Sequence, residues 1–256
     1  MTELEKYYNK FNEEHRLTTR HGLVEFNTSM KFIHDYIPQN EKVKILDIGA
    51  GTGRYSVALS REGHDVTAVE LVKRNLQVIE SKHEKIKLWP GNAMDLHFLP
   101  DAAFDITIMF GPLYHLQSEE EKLKALQEAV RVTKKGGHIF AAYIMNEYSI
   151  LTYCFTQHHI KECMENKTLT ESFKALTTEK DLYSYLRLED INRLNEKLNL
   201  KRVKIFAQDG PSDYMRKTLN SMDEQEFEYF QQYHLATCER TELLGASSHL
   251  VDIIEV

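Results

Sequence analysis

Three glycines alternate at positions 49, 51 and 53, directly behind a short apolar run, Val43 to Ile48, that carries one acid, Asp47. Without a Cβ, a turn of this kind lets a ligand lie against bare backbone and meet amide N–H groups where a helix begins. A second run, Asp65 to Val69, ends in Glu70. A carboxylate at the tip of a second strand can accept hydrogen bonds from two ribose hydroxyls. Together these residues point to a ligand that carries a nucleoside. A dinucleotide would call for G-x-G-x-x-G, with a pyrophosphate on the helix N-terminus. Here the pattern is G-x-G-x-G followed by Arg54 and Tyr55, and Asp47 suits an ammonium better than a pyrophosphate.

The elements that hold these residues are legible as alternating short apolar runs and helical periodicities, the mark of an α/β fold. Strands are expected at 43–48, 65–69, 86–89, 104–110, 138–143, 201–207 and 249–256. A seven-stranded, mostly parallel, Rossmann-like sheet with helices on both faces follows. Phe26, Met30, Ile33 and Ile37 recur at helical spacing ahead of the first strand. Arg54 to Arg61 reads as a helix closed by Gly63, and a further helix covers roughly Leu71 to Lys82 with Leu76 and Ile79 inward. Ser118 and Glu121 form a capping box before Leu123, Leu126 and Val130. Lys134 to Gly137 turn that helix into the fifth strand. A helix near 189–198 precedes the sixth, and another over 223–239 shows Phe227, Phe230 and Tyr233 on one side.

Bulk properties narrow the class. Apolar residues are 42% and charged residues 28% of 256, ordinary for a globular domain, and the formal net charge of −7 disfavours nucleic acid as a partner. Three scattered cysteines without a C-x-x-C indicate neither a disulfide framework nor a zinc site, and no metal is expected. No apolar run is long enough to span a bilayer, and the charged, aromatic start is unlike a secretion signal, so a cytoplasmic location is expected.

The combination of strand, glycine turn, helix, strand and acid resembles motif I and motif II of the class I S-adenosylmethionine-dependent methyltransferases, of the bacterial type acting on small molecules. Ile45 to Gly53 and Glu70 carry the resemblance, with the turn Gly91 to Ala93, the stretch GPLYHL at Gly111 to Leu116, and the closing LLGASSHLVDII at Leu243 to Ile254. The resemblance implies S-adenosylmethionine as cofactor, held by Asp47, Gly49, Ala50 and Gly51. Glu70 would take the ribose, and Leu71, Asn92, Ala93 and Phe110 would line the adenine and the donor end. In the family the turn after the third strand usually reads G-D-A, its acid meeting the adenine amine. Asn92 stands there in this chain, and its side-chain oxygen can still accept.

Methyl transfer from a sulfonium is an in-line displacement that needs alignment, exclusion of water and a free lone pair on the acceptor. A base helps only where the acceptor arrives protonated. His115 is the first candidate by position, since histidine titrates near neutrality, and the alternative for it is a hydrogen-bonded residue that shapes the loop. Tyr114 and Tyr143, at strand ends, follow. A single domain is expected, with an N-terminal helical arm (1–38) and lid insertions at 144–200 and 208–248. Tyr7, Arg16 and Arg20 lie in the arm, and Arg20 is the expected partner of the methionine carboxylate, with Arg16 as substitute. Three readings follow: methyl transfer to a small-molecule acceptor, methyl transfer to RNA or protein, and cofactor binding without turnover.

Overall fold

The structure is a computed structural model and describes residues 18–256. Tyr7 and Arg16 therefore lie outside the described residues. The chain runs α1 (Arg20–Asp35), β1 (Lys44–Ile48), α2 (Arg54–Arg61), β2 (Asp65–Glu70), α3 (Lys73–Ser81), β3 (Ile86–Pro90) and β4 (Phe104–Met109). It continues through α4 (Glu119–Val132), β5 (Thr133–Ile144), α5 (Asn146–Ser149), a π-helical extension (Ile150–Thr156), α6 (Ile160–Glu165) and α7 (Leu188–Leu198). The last part is β6 (Lys201–Ala207), α8 (Arg216–Ser221), α9 (Glu224–Thr237), α10 (Thr241–Leu244) and β7 (His249–Glu255).

The seven strands form one sheet in the order β3-β2-β1-β4-β5-β7-β6. The first five are parallel, and β7 inserts antiparallel between β5 and β6. Burial is near-continuous in the central strands, complete over Ile45 to Ile48 and Ile106 to Met109, as a sheet covered on both faces demands. Strand order reverses between β1 and β4, so the carboxyl ends of these two open the crevice where such sheets receive ligands. On one face Phe32 of α1 stacks on Phe206 of β6 at 3.9 Å, and Phe26 meets Tyr55 of α2 at 5.2 Å.

On the other face α7 contributes Asn195, whose amide donates to the fully buried Asp252 of β7 at 2.6 Å. Arg202 of β6 donates to the same carboxylate through Nε at 2.6 Å and Nη2 at 2.9 Å. Burial raises the Asp252 pKa against these partners.

Several expected details shift. The fifth strand begins at Thr133, because Gly136 takes φ +77° and Gly137 lies so close to the Asp105 carbonyl that a Cβ would stand 2.7 Å from it. The chain bends inside the strand instead of before it. On α3 Ile79 is inward as expected, but Asn75 is buried in place of Leu76, for a reason given below. On α9 Tyr233 is exposed, and the fully buried position is His234, packed beneath Gly210.

Candidate active site

Gly49 and Gly53 both sit at positive φ (+71° and +83°), which only glycine adopts without strain. Gly49 N–H and Ala50 N–H donate to the Val69 carbonyl at 2.7 and 3.2 Å, tying the turn to the tip of β2. A Cβ on Gly49 would stand 2.7 Å from the Pro112 ring, so this glycine also lets the loop after β4 close onto the turn.

Glu70 is buried at that junction. One carboxylate oxygen accepts from Gly51 N–H at 2.8 Å, the other from Val72 N–H at 2.7 Å and from Asn75 at 3.4 Å. This explains the inward Asn75. Burial outweighs these donors and pushes the Glu70 pKa up to about 7. Asp47, also buried, accepts from Ser56 Oγ at 2.5 Å, and burial raises its pKa to about 6. Leu71, next to Glu70, is 42% exposed, an apolar surface open to a flat ring.

Asn92 closes its own turn: its side-chain oxygen accepts from Met94 N–H at 3.0 Å, and its carbonyl from Asp95 N–H at 2.9 Å. A carbonyl oxygen has a second lone pair, so the turn does not bar a further donor. Ala93 is buried beside it, and Phe110 packs edge-on against Tyr55 at 4.9 Å.

Of the residues named for the acceptor side, Tyr114 and His115 stand together beyond β4. Tyr114 donates to the Phe110 carbonyl at 2.6 Å. His115 donates from Nδ1 to the Leu182 carbonyl at 2.9 Å, and its ring lies 5.1 Å from that of Tyr183. Burial pulls its pKa down to about 4, so the ring is neutral at pH 7 and holds an abstracted proton poorly. Its geometry is that of a loop-shaping hydrogen bond.

Tyr143 joins neither group. Ala141 pairs with Asp252, which places Tyr143 and Asp252 on one sheet face, and the phenol is fully enclosed there with no hydrogen-bond partner among the described residues. Arg20 turns to the helices after β6: its guanidinium donates to the Met222 carbonyl and lies 5.9 Å from the Phe227 ring centre. Arg54, at the start of α2, stacks on Phe26 at 4.4 Å with its Nε buried and unpartnered among the described residues.

One group escaped the sequence reading altogether. Glu25 of α1, Asp209 after β6 and His249 at the start of β7 bring one ligand atom each within 4.8 Å of one another. Asp209 Oδ2 accepts from His249 Nδ1 at 2.6 Å. Asp209 Oδ1 accepts from Ser247 Oγ at 2.7 Å and from His249 N–H at 2.9 Å. The His249 ring lies 5.9 Å from that of Tyr114. Ser247 and His249 belong to the closing stretch already singled out, but the two acids come from distant segments with no spacing to flag them.

Residues 46–141 match the family described as a methyltransferase domain. Over 144 residues the chain is 31% identical to demethylmenaquinone methyltransferase of Streptomyces avermitilis, covering 56% of this chain and 58% of that one. It is 35% identical to the cypemycin N-terminal methyltransferase of a Streptomyces species over 38% of its own length and 40% of the relative's. The chain thus spans about half the length of the curated relatives it matches. A solved structure from Thermotoga maritima, described as a SAM-dependent methyltransferase and possible histamine N-methyltransferase, superposes with a TM-score of 0.60 at 17% identity. It covers 98% of this chain and 97% of that one, a likeness of fold.

Proposed function

We propose that the chain is a class I S-adenosylmethionine-dependent methyltransferase and transfers the sulfonium methyl to a small-molecule acceptor by in-line displacement, a reading supported by the match of residues 46–141 to a methyltransferase domain. One observation carries the reading. The positive-φ glycine turn and the buried Glu70 lie on one crevice, with Gly51 N–H already donating to that carboxylate. A ribose whose two hydroxyls donate to Glu70 fits this arrangement, with the adenine toward Leu71, Asn92 and Ala93. The amino-acid end of the cofactor then runs over the turn toward Asp47. The donor end comes to Phe110, Gly111 and Tyr114, since a Cβ on Gly111 would stand 3.2 Å from the Gly49 carbonyl.

The chain's own contribution is alignment and dryness. The Tyr114–His115 loop is laced to residues 182–184: Ser184 donates from N–H to the Tyr114 carbonyl at 2.8 Å and from Oγ to the Leu116 carbonyl at 2.9 Å. Residues 144–200 and 208–248 act as lids over the acceptor, and the first turn of α1 meets the second of them through Arg20 and Met222. In this role Arg20 latches the lid, and reaches the methionine carboxylate only if that latch opens. The names borne by two relatives, demethylmenaquinone methyltransferase and cypemycin N-terminal methyltransferase, support an acceptor that is not RNA. The negative net charge supports neither RNA nor membrane surfaces as partners. Among the described residues no helix is long and apolar enough to cross a membrane.

The test is transfer of label. The protein is incubated with methyl-labelled S-adenosylmethionine and a fractionated cell extract. Label in low-molecular-mass material is the expected result. Label confined to RNA or protein, or none at all, would overturn the small-molecule reading.

A further inference from the structure

A recess of about 170 Å3 lies between the first turn of α4, α7 and residues 174–186, and the loop after β4 lends it Gln117. An apolar cavity of about 150 Å3 takes up benzene, so this one has room for a molecule of a few heavy atoms. Its walls are polar: Lys122, Lys174, Ser184, Asp190 and Arg193 face it beside Gln117.

Two acids line the recess, and both are supplied with donors. Asp190 accepts from Lys174 at 2.6 Å through each oxygen, from Arg193 at 2.9 Å and from Arg187 N–H at 2.9 Å. Glu119 accepts from Arg193 Nε at 2.7 Å and from Lys197. Glu121, beside Lys122 in the chain, accepts from Gln117 N–H at 3.0 Å and from Ser118 N–H at 2.9 Å.

Lys122 has no such arrangement. It is 3% exposed, and it donates only to carbonyls, that of Leu116 and, at 3.3 Å, that of Gln117. An ammonium has three protons, so one remains over. Burial pulls the Lys122 pKa down to about 8, which still leaves the side chain charged at pH 7. A buried cation without a paired anion is costly, and an anion in the recess would supply one.

Gln117 sets a second condition. Its Nε2 donates to the Asp181 carbonyl at 2.8 Å, but its Oε1 is buried with no partner among the described residues. This atom calls for a donor where Lys122 calls for an acceptor. A halide or a bare carboxylate meets one demand, and an oxyanion that also bears a hydroxyl meets both.

We propose that the recess binds a small hydroxylated oxyanion, a hydroxy-carboxylate or a protonated phosphate, between Lys122 Nζ and Gln117 Oε1, and that the ligand clamps residues 181–186 onto the loop after β4. The clamp follows from what these side chains already join. The Leu116 carbonyl accepts from Lys122 and also from Ser184 Oγ at 2.9 Å, and Ser184 N–H donates to the Tyr114 carbonyl at 2.8 Å. Gln117 reaches across to Asp181. A ligand that needs Lys122 and Gln117 in these places favours the joined arrangement by its differential affinity for it. Neither cofactor nor methyl acceptor enters this site, so it stands apart from the methyl-transfer reading.

The experiment titrates the full chain, without cofactor and at fixed ionic strength, with glycolate, inorganic phosphate, acetate and ethylene glycol. Calorimetry should show one site for glycolate or phosphate with a Kd of about 1 mM, the scale open to so small a ligand. Whichever of the two binds tighter identifies the source of the oxyanion. Acetate, which lacks the hydroxyl, should bind about tenfold more weakly, and ethylene glycol, which lacks the charge, should not bind measurably. Lys122→Met should weaken the better anion by about tenfold or more. Amides of residues 181–186 should exchange more slowly with that anion than without it. No saturable binding of either anion, equal affinity for glycolate and acetate together with no phosphate binding, unchanged affinity in Lys122→Met, or unchanged exchange at 181–186 would each overturn the proposal. If Lys122→Met fails to fold, the order of the four probes on the parent chain and the exchange at 181–186 decide.

Discussion

Glu70 and Asp47 bring two carboxylates into one buried crevice, and both are raised by burial, to about 7 and about 6. A folded-state pKa above the unfolded value means the folded chain holds the extra proton. The stability this confers is complete below the unfolded range and is lost as pH rises through about 6 to 7. The ligand-free protein should therefore lose stability between about pH 5 and 7.5, where many proteins are at their best. Ribose hydroxyls and an ammonium both favour the ionised acids, so cofactor binding must release protons. Affinity for S-adenosylmethionine should rise with pH up to about 7.5, by at most about tenfold per unit for each proton released. Calorimetry in two buffers of different ionisation enthalpy measures that release. Binding with no proton release at pH 6, or affinity unchanged in Glu70→Gln, would remove Glu70 from the cofactor site.

At the scale of elements, β7 shows what the sequence could and could not reveal. Its run LVDII reads as a buried strand with a polar interruption, and nothing local says why Asp252 should sit in its middle. The answer comes from two other elements, Arg202 on β6 and Asn195 on α7. Removing one partner of a buried ion pair strands the other charge, at a typical cost of about 3–5 kcal/mol. Arg202→Ala should fall near the lower figure, because Asn195 still donates. Urea unfolding should show the loss, and adding Asp252→Asn to that variant should recover much of it. An Arg202→Ala midpoint equal to the parent's would mean that the pair contributes nothing to β7 docking. The glycine turn and Glu70, by contrast, were legible because the strand and the turn behind it are contiguous. On α9 helical periodicity was right, but it did not say which side turns inward: His234 packs beneath Gly210 and Tyr233 is exposed. Glu25, Asp209 and His249 were invisible for the opposite reason to Glu70: three segments meet only once the sheet has closed.

Across the whole molecule the sheet carries the core, and the segments proposed above as lids meet it through specific hydrogen bonds among the described residues. Residues 182–184 attach to the loop after β4 through Ser184 and His115. Arg187 ties the same segment to Glu147 at 2.7 Å and to the Ser172 carbonyl at 2.7 Å, and Asn146 holds Ala175 N–H at 2.9 Å. On the other side, α1 touches the α8–α9 corner through Arg20 and through His21, which shares a 3.1 Å contact with Asn220. Most of these bonds involve side chains that are half-buried or exposed, and such bonds open locally at a small fraction of the global unfolding free energy. A sulfonium donor needs water kept away during transfer, so the bound state must favour the closed arrangement. Amides of residues 18–38 and 182–187 should therefore exchange more slowly with cofactor than without, while those of β1, β4 and β5 change little. Ser184 N–H is the most informative single amide, because its acceptor is the Tyr114 carbonyl itself. If residues 182–187 gain protection and residues 18–38 do not, the lid closes from one side only and α1 is a structural helix. If neither changes, the crevice is held open or shut by the sheet alone, and the latch assigned to Arg20 has no part in binding.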